Sequence, residues 1–373
     1  MDWDTIFEDI QNLRLNGYTW GEIADLLNDT YDVELSADAY RKRCSRHNNA
    51  IQFPCNEEQM SFNFDTEKLK ARDYMTQANA YLRRASREET IKEIASDFAE
   101  KIGRVCNFDK LPKIVEKSNK EAILCISDWH YGIEINNYNN VYNINIARQR
   151  VTELLAKVLD YLKKYDIKKL HVVNLGDMIA GRIHSQIKME SRIDSVTQIM
   201  EVSEIIAEFL HELSRVAVID YYEVLDNHSR VEPNIKESLD LESLARITGF
   251  YLKQRMKDNP NITINDNHYG FDIATFDICG HSVAGVHGDK DKQKVVINSL
   301  TLYTHKFFDL ILTAHLHHFS ADEQNETIRI SNGSLMGTDS FAQKLRLNSA
   351  PSQTLIIASE ENVIETIHKI NLN

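Results

Sequence analysis

The sequence predicts a layered α/β domain with both parallel and antiparallel strands, preceded by a small all-α N-terminal unit. Three observations carry that prediction. From about residue 105 onward, short apolar runs alternate with longer segments of helical period. Later runs, between residues 262 and 286 and through the tail, follow one another closely enough to read as antiparallel. The first fifty residues instead hold three short segments of helical spacing.

Length and composition bound the organisation. At 373 residues the chain is long enough for two domains and a connector, and its 42% hydrophobic content suffices for a sizeable core. The expected division is a helical unit over 1–50, a linker over 51–65, a helical connector over 66–104 and the α/β domain over 105–373. A formal charge of −13 argues against nucleic-acid binding by the molecule as a whole. Any polyanion must be met by a local basic surface or by bound metal. Five scattered cysteines, with no Cys-x-x-Cys pair, point to a reducing compartment. The first residues lack a basic segment followed by an apolar one, and no apolar run approaches a membrane span. A soluble cytoplasmic protein without membrane contact is the expectation.

In the N-terminal unit, Ile6, Ile10 and Leu13 fall at helical spacing and Gly17 provides a stop. Thr19-Trp20-Gly21-Glu22 has the form of a capping box opening a second helix, with Ile23, Ala24 and Leu27 inward. Ser36 can cap a third helix through Arg41, Lys42, Arg43 and Arg46. A helix, a turn and a helix loaded with Arg and Lys is the helix-turn-helix pattern, so those four cations are candidate DNA contacts. Ten acidic residues in the same fifty weigh the other way, towards a three-helix interaction module. The segment resembles the helix-turn-helix domains that bacteriophage proteins carry ahead of a catalytic domain. Beyond the linker, residues 66–102 alternate Arg/Lys with Asp/Glu, and Ser86-Arg87-Glu88-Glu89 is a second capping box. A solvated connector is expected there, with a dimerising helix, and hence a homodimer, as the alternative.

In the α/β region, Ala122–Ile126 has the length of a buried strand. A helix follows over about Asn145–Tyr165, then a strand at Leu170–Leu175, a helix near 192–216 and a strand at Val218–Leu225. A helix near 238–258 leads to apolar alternation at Ile262–Ile264, Gly270–Ile278 and Ser282–Val286, which looks antiparallel. Another helix covers about 291–305, Leu310–Thr313 is a strand, and the tail is strand-like throughout.

Ligands of open α/β sheets sit beyond the carboxyl ends of the strands. Five strand ends here stop on metal-competent residues: Asp128 and His130, Asp177, Asn227 and His228, His287, and His315 with His317. A lone Gly-Asp or His-Gly is more often a turn than a ligand; the coincidence of five is the signal. Carboxylate, amide and imidazole together suit Mn²⁺, Fe or Zn²⁺ over Ca²⁺.

In order and type these residues resemble the calcineurin-like metallophosphoesterase superfamily, over about residues 120–320. Its Asp-x-His-x-Gly, Gly-Asp, Gly-Asn-His-Asp/Glu, lone His and Gly-His-x-His stand here as Asp128-Trp129-His130-Tyr131-Gly132, Gly176-Asp177, Asp226-Asn227-His228-Ser229, His287 and Ala314-His315-Leu316-His317. The resemblance implies a β-sandwich flanked by helices and a two-metal phosphoesterase. One ion would be held by Asp128, His130, Asp177 and His317, and a second by Asp177, Asn227, His287 and His315. Asp177 would bridge, with Mn²⁺ first among the metals and Fe, Zn²⁺ or Mg²⁺ as alternatives. His228 would be the catalytic imidazole that protonates the leaving oxygen or stabilises the phosphoryl oxygens.

The sequence departs from the pattern at Asp226 and Ala314, where Gly is usual, and at Ser229, where an acid is usual. Asp226 would tolerate a positive φ if the turn needs one. Ala180 stands where some relatives place an Asp that partners the catalytic His, so the partner of His228 is left open. The absence of Gly-Asp-x-x-Asp-Arg-Gly argues against the phosphoprotein phosphatase branch. Arg182, His184 and Arg230 are candidate phosphate contacts, with solvated or salt-bridged side chains as the alternative. His318 is expected beside the ligands, and Trp129 and Tyr131 in packing. Three functions remain open at this point. They are a phosphodiesterase or nuclease acting on DNA, sharing the catalytic set of Mre11-like nucleases; a hydrolase of small nucleotides or other small phosphoesters; and a DNA-binding regulator with an inactive phosphoesterase domain.

Overall fold

A strand covered on both faces needs no polar alternation, and the strand β1 (Lys120–Ile126) is of that kind. Ala122, Leu124 and Ile126 turn to one face, Ile123 and Cys125 to the other, and all five are fully buried. The architecture follows from what covers each face. The computed structural model describes residues 3–48, 72, 75, 108–116, 118–183, 185–239, 241–292 and 294–373. The linker, the connector and its Ser86 capping box, together with His184, lie outside the described residues, apart from Arg72 and Met75. The chain divides into two compact units, Met1–Ser86 and Arg87–Asn373.

In the first unit, helices α1 (Trp3–Leu15), α2 (Trp20–Tyr31) and α3 (Ala37–Asn48) enclose Ile6, Phe7, Ile10, Ile23, Ala24, Leu27 and Tyr40. Thr19 and Glu22 form the capping box reciprocally. Asn28 braces the turn before α3: its Nδ2 donates to Leu35 O at 2.9 Å, and its Oδ1 accepts from Leu35 N–H at 3.1 Å and Tyr40 O–H at 3.0 Å.

In the second unit, β1 is followed by the hairpin strands β2 (Ile135–Asn136) and β3 (Val141–Tyr142), then α4 (Ile144–Lys164) and β4 (Lys169–Asn174). Next come α5 (Ser185–Glu190), α6 (Ser195–Leu213), β5 (Val218–Glu223), α7 (Ala245–Met256), β6 (Ile262–Ile264), β7 (Ala274–Ile278) and β8 (His281–Gly285). The chain finishes with α8 (Val296–Thr304), β9 (Leu310–Thr313), β10 (Ser320–Gln324), β11 (Thr327–Ser331), α9 (Ser340–Lys344), β12 (Ser352–Ser359) and β13 (Thr366–Asn371).

Two sheets face each other. One has the order β13-β12-β1-β4-β5-β6 and the other β10-β11-β9-β8-β7. Ile123, Val173, Leu175, Val224 and Ile356 of the first sheet meet Phe276, Val283, Leu310, Leu312 and Ile330 of the second in one apolar cluster. The outer face of the first sheet is covered by α4, α6 and α7, that of the second by α8. Strands β1, β4 and β5 run parallel, as do β8 and β9, so their carboxyl ends carry all the candidate metal residues.

Four elements differ from the sequence reading. Strand β6 pairs parallel to β5, because α7 carries the chain back across the sheet before β6 is laid down. The tail contains the short helix α9, capped by Asp339, whose carboxylate accepts from Ala342 N–H at 2.6 Å. Helix α7 starts later than residue 238, because the chain before it is occupied in backbone bonds of Val231 N–H to Glu242 O (3.3 Å) and Leu244 N–H to Ser229 O (2.7 Å). Helix α8 likewise starts after a turn at Lys292. No helix among the described residues is long and apolar enough to cross a membrane.

Leu124 is fully enclosed between β1 and the covering helices. Leu124→Ala is therefore expected to lower the unfolding free energy of the second unit by about 2–5 kcal/mol, read as a shifted urea midpoint at unchanged slope.

Candidate metal centre

Each candidate ligand leaves its strand through a tight turn, and the turns are held to one another by backbone bonds. Leu175 N–H donates to Ile126 O at 2.9 Å, Asp128 N–H to Gly176 O at 3.0 Å and His130 N–H to Asp177 O at 3.0 Å. On the second sheet, Ala314 N–H donates to His287 O at 2.9 Å. The turns are sharp enough to force positive φ on Asp128 (52°), His130 (44°), Asp177 (54°), His315 (70°) and His317 (59°). These are five of the twelve non-glycine residues with positive φ among the described residues. Such conformations persist where the surroundings over-determine them, and they gather at functional sites.

Two groups of side chains result. Asp128, His130, Asp177 and His317 converge within 4.8 Å of one another, and so do Asp177, His287 and His315. His317 Nε2 lies 3.4 Å from Asp128 Oδ1 and 3.0 Å from His130 Nε2. His287 Nε2 lies 3.2 Å from Asp177 Oδ2, 3.2 Å from His315 Nδ1 and 2.9 Å from Asn227 Oδ1. Asp177 belongs to both groups.

The donor set fits a pair of cations, and the reason is local. In each aspartate one oxygen is tied and the other has no partner. Asp128 Oδ2 accepts from Ser127 O–H at 2.6 Å, and Asp177 Oδ1 accepts from His228 N–H at 3.2 Å. Asp128 Oδ1 and Asp177 Oδ2 are buried with no hydrogen bond at all. His287 Nδ1 lies 2.7 Å from Leu175 O, and a carbonyl only accepts, so Nδ1 carries the proton. In the neutral ring its Nε2 lone pair then faces Asp177 Oδ2 and Asn227 Oδ1, and without a cation a proton on Nε2 is what can sit between them. Several acceptors converge on each point with no donor between them, which is what a cation requires.

The electrostatics agree. Burial alone would raise the Asp177 carboxyl, but the imidazoles of His228 and His287 outweigh it and hold it well below the usual carboxylate range. Burial alone would depress His287, but Asp177 outweighs it and raises the imidazole to about 10. That value expresses the same crowding of acceptors as proton affinity. Burial, with His228 beside it, pushes His130 well below the ordinary imidazole value, which leaves its lone pair available.

His228 has its partner in the backbone. Its Nδ1 donates to Ala180 O at 2.7 Å, so the carbonyl occupies the role that an Asp at position 180 would have had. The Ala180 turn is fixed by Gln198, whose Oε1 accepts from Gly181 N–H at 2.9 Å and whose Nε2 donates to Ile193 O at 2.9 Å. A Cβ on Gly181 (φ 65°) would lie 2.0 Å from His228 O. The Asp226 turn needs no positive φ, contrary to the allowance made for it. Its carboxylate instead accepts from Ser229 N–H at 2.6 Å and Ser229 O–H at 3.0 Å, so the two departures at 226 and 229 compensate each other. Burial and then Asp177 raise that carboxyl to about 6. Gly176 makes room for it, since a Cβ there would lie 2.6 Å from Asp226 Cβ.

Sequence reasoning missed Ser127, Gln198 and Gln353. Gln353 on β12 clasps Ser127, accepting its N–H at 2.8 Å and donating to its O at 3.2 Å across 226 residues of chain. Only the unbroken hydrophilicity of Ser127 and Gln353 within buried runs signals them. Trp129 and Tyr131 are buried, as packing requires. His318 is exposed, its Nδ1 bonded to Leu316 O at 3.0 Å. Arg182 is exposed and donates to Val231 O at 3.4 Å, while Arg230 Nε is buried with no hydrogen-bond partner. On α3, Arg41 pairs with Asp38, Lys42 lies 3.2 Å from the same carboxylate, and the Arg43 guanidinium sits 4.3 Å over the Trp3 ring. The side chain of Arg46 lies outside the described residues.

No protein-family model matches the chain. The chain is similar to a SPbeta prophage-derived uncharacterized protein of Bacillus subtilis (strain 168), YonJ, at 24% identity over 382 residues, covering 94% of this chain and 90% of that one. Among solved structures it is similar to an archaeal phosphodiesterase at 13% identity and a TM-score of 0.34, covering 67% of this chain and 99% of that one. It is also similar to zinc-complexed Vps29 of Entamoeba histolytica at 12% identity and a TM-score of 0.32, covering 68% of this chain and 99% of that one.

Two predictions follow from the support beneath the site. Gly181→Ala should lower thermal stability and displace the His228 ring, seen as a changed imidazole resonance by NMR. Glu223 lies beneath Asn174, the residue whose Oδ1 holds Gly176 N–H at 3.0 Å. Burial pushes the Glu223 carboxyl up to about 8 from 4.5, so its contribution to stability is full below the unfolded value and is lost as pH rises through the folded one. Glu223→Gln should therefore flatten the fall in melting temperature across that window; an unchanged profile would count against this assignment.

Proposed function

We propose that this chain is a two-metal-dependent phosphoesterase whose substrate is a nucleic-acid phosphodiester, with DNA as the expected partner. The observation that carries the reading is Asp177 Oδ2, a buried carboxylate oxygen without a hydrogen bond that is shared by two groups of lone-pair donors. Asp128, His130, Asp177 and His317 would hold one ion, and Asp177, Asn227, His287 and His315 the other. With two divalent ions bound there, Mn²⁺ first among the candidates, the site would gain a clamp for a phosphate and a bound water of lowered pKa.

The chain's own groups supply the rest. His228 donates its Nδ1–H to Ala180 O, which fixes the ring with Nε2 3.9 Å from Asp177 Oδ2. As the imidazolium it would pass its Nε2 proton to the leaving oxygen and become the neutral ring. Arg230, with a buried and unbonded Nε, and Arg182 are the proposed phosphate contacts. The helical unit is the proposed DNA-binding head through Arg41, Lys42, Arg43 and Arg46 on α3.

The ion pairs of Arg41 and Lys42 with Asp38 favour a second reading, in which the head leaves DNA alone and the substrate is a small nucleotide or another small phosphoester. One experiment separates the two. Purified protein with Mn²⁺ is tested on end-labelled single- and double-stranded DNA and on a small aryl phosphodiester. Cleavage of both DNA and the aryl ester is expected. Hydrolysis of the aryl ester alone would move the substrate to the small-molecule class, and silence on both would sink the phosphoesterase reading.

Asp177→Asn should bring turnover of every substrate to background and abolish binding of the second ion by calorimetry. Arg43→Ala should lower DNA cleavage several-fold and leave aryl ester hydrolysis unchanged.

A further inference from the structure

The β2–β3 hairpin and the segment entering α9 are tied together beside Asp128. Asn140 Nδ2 donates to Met336 O at 2.8 Å and to Thr338 O at 3.0 Å. Arg150 donates to Leu335 O at 3.0 Å and Met336 O at 2.7 Å. The segment is anchored to the metal centre itself, since Met336 N–H and Ser334 O–H both donate to Asp128 O, at 3.3 and 2.9 Å. The Tyr142 hydroxyl donates to Trp129 O. Asn140 and Arg150 are both buried, so the scaffold is a fixed part of the core.

Two aromatic rings stand on this scaffold in water. Tyr138, two residues before Asn140, is 95% exposed, and Phe341, three residues after Thr338, is 65% exposed. Val141, Leu345 and Leu347 are exposed beside them in the chain. Exposed apolar side chains scattered singly are ordinary; a set of them on a braced surface at the edge of a candidate active site is not. The charge of the same two segments is one-sided. Residues 135–143 and 340–351 contain no Asp or Glu in a chain that has 56, and the second of them carries the exposed Lys344 and Arg346. Arg148 is paired with Glu201 at 3.2 Å and Arg150 is buried, so neither adds charge to the rim. The acid immediately before each segment is engaged: Asp339 caps α9 and Glu134 pairs with Arg192.

We infer that this rim binds a single-stranded nucleic-acid segment, with bases stacking on Tyr138 and Phe341 and phosphates passing Lys344 and Arg346 on the way to Asp128 and His317. The direction of the strand into the metal centre rests on the phosphoesterase reading; the binding does not. Stacking on aromatic side chains tolerates any base, because every base has a π-face, and cations along the same path meet the backbone. A duplex keeps its base faces stacked inside and offers this rim only phosphates. The exposed Lys344 and Arg346, with no acid anywhere in 340–351, disfavour a cationic partner and suit a polyanion.

The test is fluorescence anisotropy of the full chain, in EDTA to prevent cleavage, with three labelled probes. These are a short oligothymidylate, an abasic oligonucleotide of equal length and a duplex. Tyr138→Ala and Phe341→Ala should each weaken oligothymidylate binding about tenfold, the order of one lost base stack, and change abasic binding little. Phe341→Trp should restore it. Equal affinity of both variants and wild type for oligothymidylate would overturn the inference, as would an equal loss on the abasic probe. Hydrolysis of the aryl phosphodiester with Mn²⁺ is measured on the same proteins and should be unchanged. Its absence in wild type would defeat the phosphoesterase reading, while the anisotropy would still decide the rim.

Discussion

A buried carboxylate oxygen with no donor is among the least stable things a fold can contain, and Asp177 Oδ2 is one. Much of the second unit is arranged around holding it there. Its partner oxygen is fixed by the His228 backbone, its strand is central in the six-stranded sheet, and the turn that presents it has positive φ. His287 approaches from the other sheet, with Nδ1 donating to Leu175 O, the residue just before Gly176-Asp177. The two sheets are therefore joined at their carboxyl ends by the same residues that converge on the candidate ion positions. Burial would depress the His287 imidazole, but the crowded acceptors, Asp177 first among them, raise its affinity for a proton.

Beneath the candidate ligands lies a layer of polar side chains that act on them at one remove. Ser127 settles which oxygen of Asp128 is left without a partner, and Gln353 and Asn332 settle where Ser127 stands. Gln198 holds the turn whose carbonyl orients His228. These groups come from β12, from the loop after β11 and from α6, and buried side chains that bond one another and the backbone in this way fix the orientation of the groups above them. The departures from the motif pattern that the sequence resembles are absorbed in the same layer. The acid usually found after the histidine is replaced by a serine, and the acid that does occur, Asp226, closes its turn onto that serine.

The strand runs, the helical segments around them and the strand-end residues were legible in the sequence because each is a local property. An apolar run of strand length ends where its sheet ends, and a ligand must follow within two or three residues. The capping box of Thr19 and Glu22 is legible for the same reason. Tertiary structure alone decided what depends on distant partners. Strand β6 is parallel because of where α7 delivers the chain, which periodicity does not encode. The partner of His228 is a backbone carbonyl, and every residue has one, so no side-chain pattern could mark it. Gln353 lies 226 residues from Ser127, and nothing in either stretch names the other. The basic face of α3 was visible as composition, but its engagement with Asp38 and Trp3 is a matter of side-chain geometry. Residue type and spacing thus determined which groups reach the carboxyl ends of the strands. Packing of one sheet on the other decided that they meet, because only that contact brings His287 to Asp177.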